Sequence, residues 1–249
     1  MSVRDYEQAI RMDIRNHILN SLHPRDRDAL APFATMTSLV SGAVLFEPDS
    51  TIDRVYFPNT AVLSVVTIME DGRAVESDTV GYESAVGLLE ALGPSLTVSR
   101  TFTQIPGTAV SIPAARLRSQ AEDNPHLRSL LLRHAQANLA QAHQSVACNA
   151  LHSVEQRLCR WLLASRDRTA NDVLHITQQY LATMVGVQRT TITQALQDLS
   201  QAGLIRQGRG QIEVLNRRGL EGRACECHAA LRATLDRLIG KSAFNAAGN

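Results

Sequence analysis

Lysine is nearly missing from this chain: of its 25 basic residues, one is Lys and 24 are Arg. Long apolar runs are missing too. The longest nearly apolar stretch, residues 61–69, is about half of the ~20 residues that a bilayer crossing needs. The first residues include Arg4, Asp5 and Glu7, where a signal segment would need an apolar core, so a soluble, cytoplasmic protein is expected. No Cys precedes position 148. The four that follow, at 148, 159, 225 and 227, do not make the framework of a disulfide-stapled secreted domain, and a reducing compartment fits. Between Phe33 and Pro113 there is neither His nor Cys, which removes the clustered ligands that a metal-dependent barrel enzyme requires. Gly-rich phosphate loops, nucleophile elbows and His-Glu-x-x-His are absent as well. No catalytic residue is identified, and an enzyme is not expected.

What remains is ordinary globular material of 249 residues, 44% hydrophobic and 20% charged, long enough for two modules. The formal net charge of +1 conceals a split. Residues 1–150 carry 12 Arg against 16 acids, and residues 151–249 carry 13 basic residues against 8 acids, so the halves stand at −4 and +5. Only the back half is suited to meet a polyanion. The Arg bias suits bidentate phosphate or guanine contacts, and a GC-rich genome would produce it equally well.

The opening forty residues have helical spacing, with Ile10, Ile14, Ile18 and Leu22 four apart and Pro24 starting a second short helix. From Gly42 the texture becomes β-rich. Strands are predicted at 55–57, 61–68, 74–80 and 109–112, separated by turn signals such as Pro58-Asn59, Gly93-Pro94 and Pro106-Gly107. Asp71-Gly72 is the strongest hairpin signal. Many short strands with Gly and Pro punctuation predict a sandwich or jelly-roll barrel.

After Pro125 the period turns helical, and Leu132, Ala135, Leu139, Ala142 and Val146 recur at alternating spacings of three and four. That is a heptad seam. Leu127, Leu130 and Leu131 form a separate stripe that can cover the chain's own core, which leaves the seam for a second copy. Ser153 with Gln156 makes a capping box and opens a fresh helix lined by Val154, Leu158, Trp161 and Leu162. The expected divisions are residues 1–123 for N-terminal helices and barrel, 124–150 for a dimerisation helix, and 151–249 for a C-terminal domain.

That last division reads as helix, tight turn, helix and glycine-rich hairpin, the pattern of a winged helix-turn-helix. Thr177 caps the first helix of the pair and Gly186 supplies the turn. In the second helix Ile192, Ala195, Leu196 and Leu199 face inward, which leaves Gln188, Arg189, Thr190, Thr193, Gln194 and Gln197 outward, a set without an acid and able to donate to base edges or phosphates. Gln178, beside the cap, and Arg206 and Arg209 in the wing complete the candidate DNA-binding residues.

The stretch from Ile176 to Leu199, the wing after Gly203-Leu204-Ile205 and the preceding heptad helix resemble the Crp/Fnr family of bacterial transcription regulators. So do Val44-Leu45-Phe46-Glu47-Pro48, Val55-Tyr56-Phe57-Pro58, Met69-Glu70-Asp71-Gly72-Arg73 and Val80-Gly81-Tyr82-Glu83 in the front half. The resemblance implies an α+β fold: an N-terminal jelly-roll β-barrel of the cyclic-nucleotide-binding kind, a long dimerisation helix and a C-terminal winged helix-turn-helix. It implies a homodimer that places each winged domain in one major groove of an inverted repeat. Double-stranded DNA, a second copy of the chain and RNA polymerase are the expected partners.

Two departures from the family pattern limit this reading. Where cyclic-nucleotide members keep a Gly-Glu pair for the ribose, Gly87 is followed here by Leu88. Arg100-Thr101 resembles the phosphate-binding pair but lies closer to the strand ending at Ile112 than family spacing places it. These four residues are the candidate effector pocket, and cyclic AMP and cyclic GMP are not expected in it. Nor is an iron-sulfur cluster, because the family's N-terminal Cys are absent. In the recognition helix the pattern Arg-Glu-x-x-x-Arg becomes Arg189-Thr190-x-x-x-Gln194, so Arg189 is expected to read guanine and Gln194 to favour adenine. Cys225-x-Cys227-His228 would sit in one amphipathic helix over 219–239, where positions two apart diverge by about 200°. Cys227 is therefore expected as a buried small hydrophobe and the motif as structural, with a redox or metal role as its alternative. The alternative function is a redox- or ligand-sensing interaction protein whose winged domain contacts protein.

Overall fold

The computed structural model describes residues 14–240, so the Ile10 end of the expected first helix lies outside them. The chain forms two compact units. The first takes the residues through Ser64 together with Thr79–Asn138, and the second takes Val65–Asp78 together with the residues from Leu139 onward. The α+β composition and the order of sheet-rich front, long helix and winged helix-turn-helix are those expected.

The front of the chain opens with α1 (His17–Ser21) and α2 (Pro24–Leu30). Asn16 caps α1 from a fully buried position. Its side-chain oxygen accepts from the Ile18 and Leu19 amides, and its Nδ2 donates to the carbonyls of Pro58 and Ser84 at 2.9 and 2.8 Å, so every polar atom of the buried amide is satisfied. Seven strands follow: β1 (Thr35–Leu39), β2 (Val44–Phe46), β3 (Arg54–Pro58), β4 (Val62–Ile68), β5 (Ala74–Val80), β6 (Arg100–Ile105) and β7 (Gly107–Pro113). They form a three-stranded sheet, β1-β7-β3, and a four-stranded sheet, β2-β6-β4-β5. Among the described residues these are two open sheets and not a closed barrel. In β3, Val55 and Phe57 are fully buried while Arg54 and Tyr56 alternate outward, the period of a half-buried strand. The Asp71-Gly72 hairpin forms where expected, with the Met69 amide donating to the Arg73 carbonyl and Gly72 at φ +82°.

A short helix, α3 (Leu88–Leu92), lies between β5 and β6. The helical part then starts earlier than the sequence pattern suggests, with α4 (Ala114–Asp123) burying Ala114, Leu117 and Ala121. Pro125 ends that run and begins α5 (Pro125–Leu151), whose first amides are capped by the Asn124 side chain.

In the second unit α6 (Val154–Thr169) starts at the expected capping box: Ser153 Oγ accepts from the Gln156 amide, and Gln156 Oε1 accepts from the Ser153 amide. The unit continues through β8 (Val173–Leu174), α7 (Gln178–Val185), α8 (Arg189–Gln201), β9 (Ile205–Gly208) and β10 (Gln211–Val214), the strands forming a β8-β10-β9 wing. The tip of the β4–β5 hairpin is built into this unit. Trp161 Nε1 donates to Glu76 Oε2 at 3.0 Å, and Gln141 donates to Asp78 while accepting from Arg168.

One expected element is corrected. The helix predicted over 219–239 is two helices, α9 (Arg217–Arg223) and α10 (Cys227–Ile239), broken at Ala224, whose ψ of 155° is extended. Cys225 precedes α10 and its thiol is not carried around a helix axis. The geometric argument for divergent Cys225 and Cys227 side chains therefore fails, and both are buried in one cluster with Cys148. His228 points elsewhere, with its Nε2 3.1 Å from Asp167.

Candidate nucleic-acid interface

Thr177 begins the candidate interface. Its backbone is extended and its hydroxyl accepts from the Tyr180 amide at 3.2 Å, which fixes the start of α7. Gly186 ends α7 in the left-handed region at φ +71°, and a Cβ there would come within 3.2 Å of Val75 in the hairpin tip. Two residues later Gln188 holds the N-cap position of α8 without a side-chain capping bond, so Arg189 is the first residue of that helix, at the end where unpaired amides point outward.

Helix α8 is as two-faced as its spacing predicts. Ile192, Ala195, Leu196 and Leu199 are buried, whereas Gln188, Arg189, Thr190, Gln194 and Gln197 are exposed. Two details differ from the sequence reading. The exposed face does carry an acid, because Asp198 is open to solvent and accepts from Gln194 Nε2 at 2.9 Å. Thr193 is half-buried and faces its own domain: its hydroxyl lies 2.8 Å from Gln178 Oε1 and 2.9 Å from the Arg189 carbonyl, and one proton serves only one of them at a time. Gln178 Nε2 in turn donates to Gln207 Oε1 at 3.2 Å. This chain of side chains joins α8 to α7 and to β9, which sets the position of the wing relative to the recognition helix.

In the wing the two candidate Arg differ. Arg206 pairs with Glu213 across the β9–β10 ladder at 2.7 Å, while Arg209 sits exposed at the tip beside Gly210, itself at φ +69°. A groove between α7, the start of α8 and the wing is lined by Thr177, Gln178, Arg189, Gln207 and Gly210. Beside the apolar Ile176, Leu196 and Ile212, its polar lining is one cation, side-chain amides and the Thr177 hydroxyl, groups that donate to phosphate oxygens and base edges.

The other sequence-derived sets are placed as follows. Leu132, Leu139 and Val146 are 47, 51 and 70% exposed along α5, Ala142 is half-buried, and Ala135 is buried at 2%. Gly87 is the left-handed cap of α3, with Phe46, Ile52 and the Arg54 carbonyl within 3.2 Å of where a Cβ would stand. Leu88 and Thr101 are buried, and Arg100 pairs with Glu47 at 3.0 Å. The link from hairpin tip to Trp161 and Gly186 escaped sequence reasoning, since no local pattern pairs Glu76 with an indole 85 residues away. No described helix is long and apolar enough to cross a membrane.

Comparison with known proteins agrees with this geometry. Residues 156–223 match the Crp-like helix-turn-helix domain. A CRP-like cAMP-activated global transcriptional regulator of Mycobacterium tuberculosis is 26% identical over 201 residues, spanning 77% of this chain and 89% of that protein. The transcriptional regulator SdrP of Thermus thermophilus is 30% identical over 104 residues, covering 39% of this chain and 52% of its own. Among solved structures, FixK2 from Bradyrhizobium japonicum superposes with a TM-score of 0.67 at 17% identity, over 77% of this chain and 98% of that one, a likeness of fold. Residues 156–223 thus form a Crp-like helix-turn-helix domain, and with its sheet-rich front and long helix the chain is similar to transcription regulators of the Crp/Fnr kind.

Proposed function

We propose that this Crp-like regulator binds an inverted-repeat operator as a homodimer, reading each half-site with α8 and bracing it with the wing. The observation that carries the reading is the exposed face of α8, where Arg189, Thr190, Gln194 and Gln197 are all open to solvent, as is Arg209 at the wing tip. A guanidinium at the N-terminal end of a recognition helix can span guanine O6 and N7. Pairing is supported by α5, whose open Leu132, Leu139 and Val146 recur every seven residues. A two-fold pair of recognition helices fits half-sites about one helical turn, ~34 Å, apart. RNA polymerase is the protein that the DNA-bound dimer would meet, as the family resemblance implies.

The front unit would serve as the sensor, for an effector other than a cyclic nucleotide held in the family manner. Support comes from Leu88, which is buried apolar packing where a ribose would need an acceptor, and from Arg100, which is already paired with Glu47.

The test begins with DNA fragments selected from a random pool by the full-length protein. Arg189→Ala should weaken binding to the selected operator by about 1–3 kcal/mol and relax preference at one guanine per half-site. Arg209→Ala should weaken all sequences alike and lower the slope of log affinity against log salt by about one. If Arg189→Ala still separates operator from random DNA as well as the parent does, α8 is not the reader, and a protein-contacting winged domain is the better description.

A further inference from the structure

We propose that Cys148, His152, Cys225 and Cys227 form a tetrahedral site for one zinc-class divalent cation, which clasps the two ends of the winged domain. The reading is independent of what DNA the protein binds.

Cys148 lies in the last turn of α5, and His152, one residue past its end, continues the helical hydrogen-bond pattern by donating its amide to the Cys148 carbonyl at 3.1 Å, which puts the two side chains on the same side. The break between α9 and α10 brings Cys225 and Cys227 to that face. One ligand atom from each residue lies within 4.8 Å of all the others, and the three thiols are buried. Cys148 Sγ is 3.5 Å from Cys225 Sγ, and Cys227 Sγ is 3.5 Å from His152 Nδ1. A tetrahedron with zinc–sulfur legs of about 2.3 Å and a zinc–nitrogen leg of about 2.0–2.1 Å has edges of about 3.5–3.8 Å. Both contacts match such edges. An iron-sulfur cluster distributes its ligands over several irons, which holds the sulfurs farther apart than this group is. Three soft thiols and one imidazole also make up the Cys3His donor set of closed structural zinc sites.

The surroundings are those of a ligand set. His152 Nε2 lies 3.2 Å from a carboxylate oxygen of Glu226, so the imidazole proton is held on Nε2 and the Nδ1 lone pair is turned toward the thiols, as carboxylate partners do for metal-binding His. Gln144 Nε2 stands 3.0 Å from Cys227 Sγ and can donate to it as a thiolate. Three thiolates around a dication leave one negative charge. Arg157 and Arg160 face it electrostatically, and the Nε atoms of both are buried without a hydrogen-bond partner among the described residues.

The position gives the site a purpose. The Crp-like match covers 156–223, and the four residues flank it, two before and two after. A bound ion would close a loop between positions 77 residues apart and fix the end of α5 to the α9–α10 junction.

The experiment uses the full-length protein purified without chelators. Elemental analysis should find about one zinc per chain, and Cys225→Ser, Cys227→Ser and His152→Ala should each lose it. Cys159→Ser, which removes the buried thiol outside the cluster, should keep it. Because a variant can fail to fold, the parent protein is also stripped and refilled with cobalt. Thiolate-to-cobalt charge-transfer and tetrahedral d–d bands are expected, with Cys148, Cys225 and Cys227 shielded from alkylation until a chelator is added. Folded protein with less than about a tenth of an equivalent of metal and no cobalt spectrum would overturn the proposal. So would iron with visible sulfide bands, or a Cys148–Cys225 disulfide detected by mass in the freshly purified chain.

Discussion

His134 occupies a place where a charged ring is costly: it is fully buried in α5, its centroid 5.5 Å from that of His17. Burial, then the charges of His17 and Arg133, push its pKa down to about 3, and a hydrogen bond with the Glu83 backbone only partly opposes them. In the unfolded chain the same ring takes up a proton near 6.5. Between these values the unfolded state binds more protons, so the stability that the neutral ring contributes is complete above pH 6.5 and is lost as pH falls. One such group sets a slope of up to about 1.4 kcal/mol per pH unit. Thermal melts at pH 7.5, 6.5 and 5.5 should show the melting temperature dropping with acid, and His134→Gln should flatten that dependence. Equal slopes for parent and variant would show that another group carries it. At this scale the sequence was a fair guide on the recognition helix, where Ile192, Ala195, Leu196 and Leu199 all face inward, because side-chain direction there follows helix geometry. It was a poor guide to Arg206 and Thr193, whose partners Glu213 and Gln178 are supplied by strand register and by a neighbouring helix.

Among the elements, α5 bears the largest apolar exposure. Leu132, Leu139 and Val146 are worth roughly 1.5–3 kcal/mol each when buried, and a pair of chains would bury three on each side. Leu139→Glu should therefore convert a dimer to a monomer in light scattering and remove tight operator binding, since each half-site loses its tethered partner. An unchanged mass would move the dimer contact away from this face. Ala135, buried against its own unit, contributes to the seam only through its neighbours. Periodicity gave α5, α6 and α8 well: Pro125 and the Ser153 capping box mark the starts of the first two, and α8 follows the Gly186 turn with a clear inward stripe. The break at Ala224 was not legible: Gly222, two residues earlier, sits inside α9, no Pro follows, and Cys, Glu and Ala are all tolerated inside helices.

For the molecule as a whole, the front unit and the winged unit have different histories in the sequence. Composition and turn signals were enough to read strands in the first, while the exact sheet partners and the open edge between the two sheets depend on long-range pairing that no local signal encodes. Millimolar cyclic AMP or cyclic GMP should leave both the melting temperature and the DNA affinity unchanged, because Leu88 offers a ribose no acceptor and Arg100 is held by Glu47. A shift of several degrees with either nucleotide would make Arg100 the first phosphate ligand to examine. The β4–β5 hairpin has the remaining consequence. Since residues 65–78 belong to the second unit, the backbone passes between units at three places, after Ser64, after Asp78 and within α5 after Asn138. The DNA-reading half is thus an interrupted domain. A fragment starting at residue 139 would lack Glu76 for Trp161 and Asp78 for Gln141, and one starting at 150 would also lose Gln141, the acceptor of Arg168, so a transplanted winged domain must bring its distant hairpin with it, and any gene fusion with a single junction leaves it incomplete.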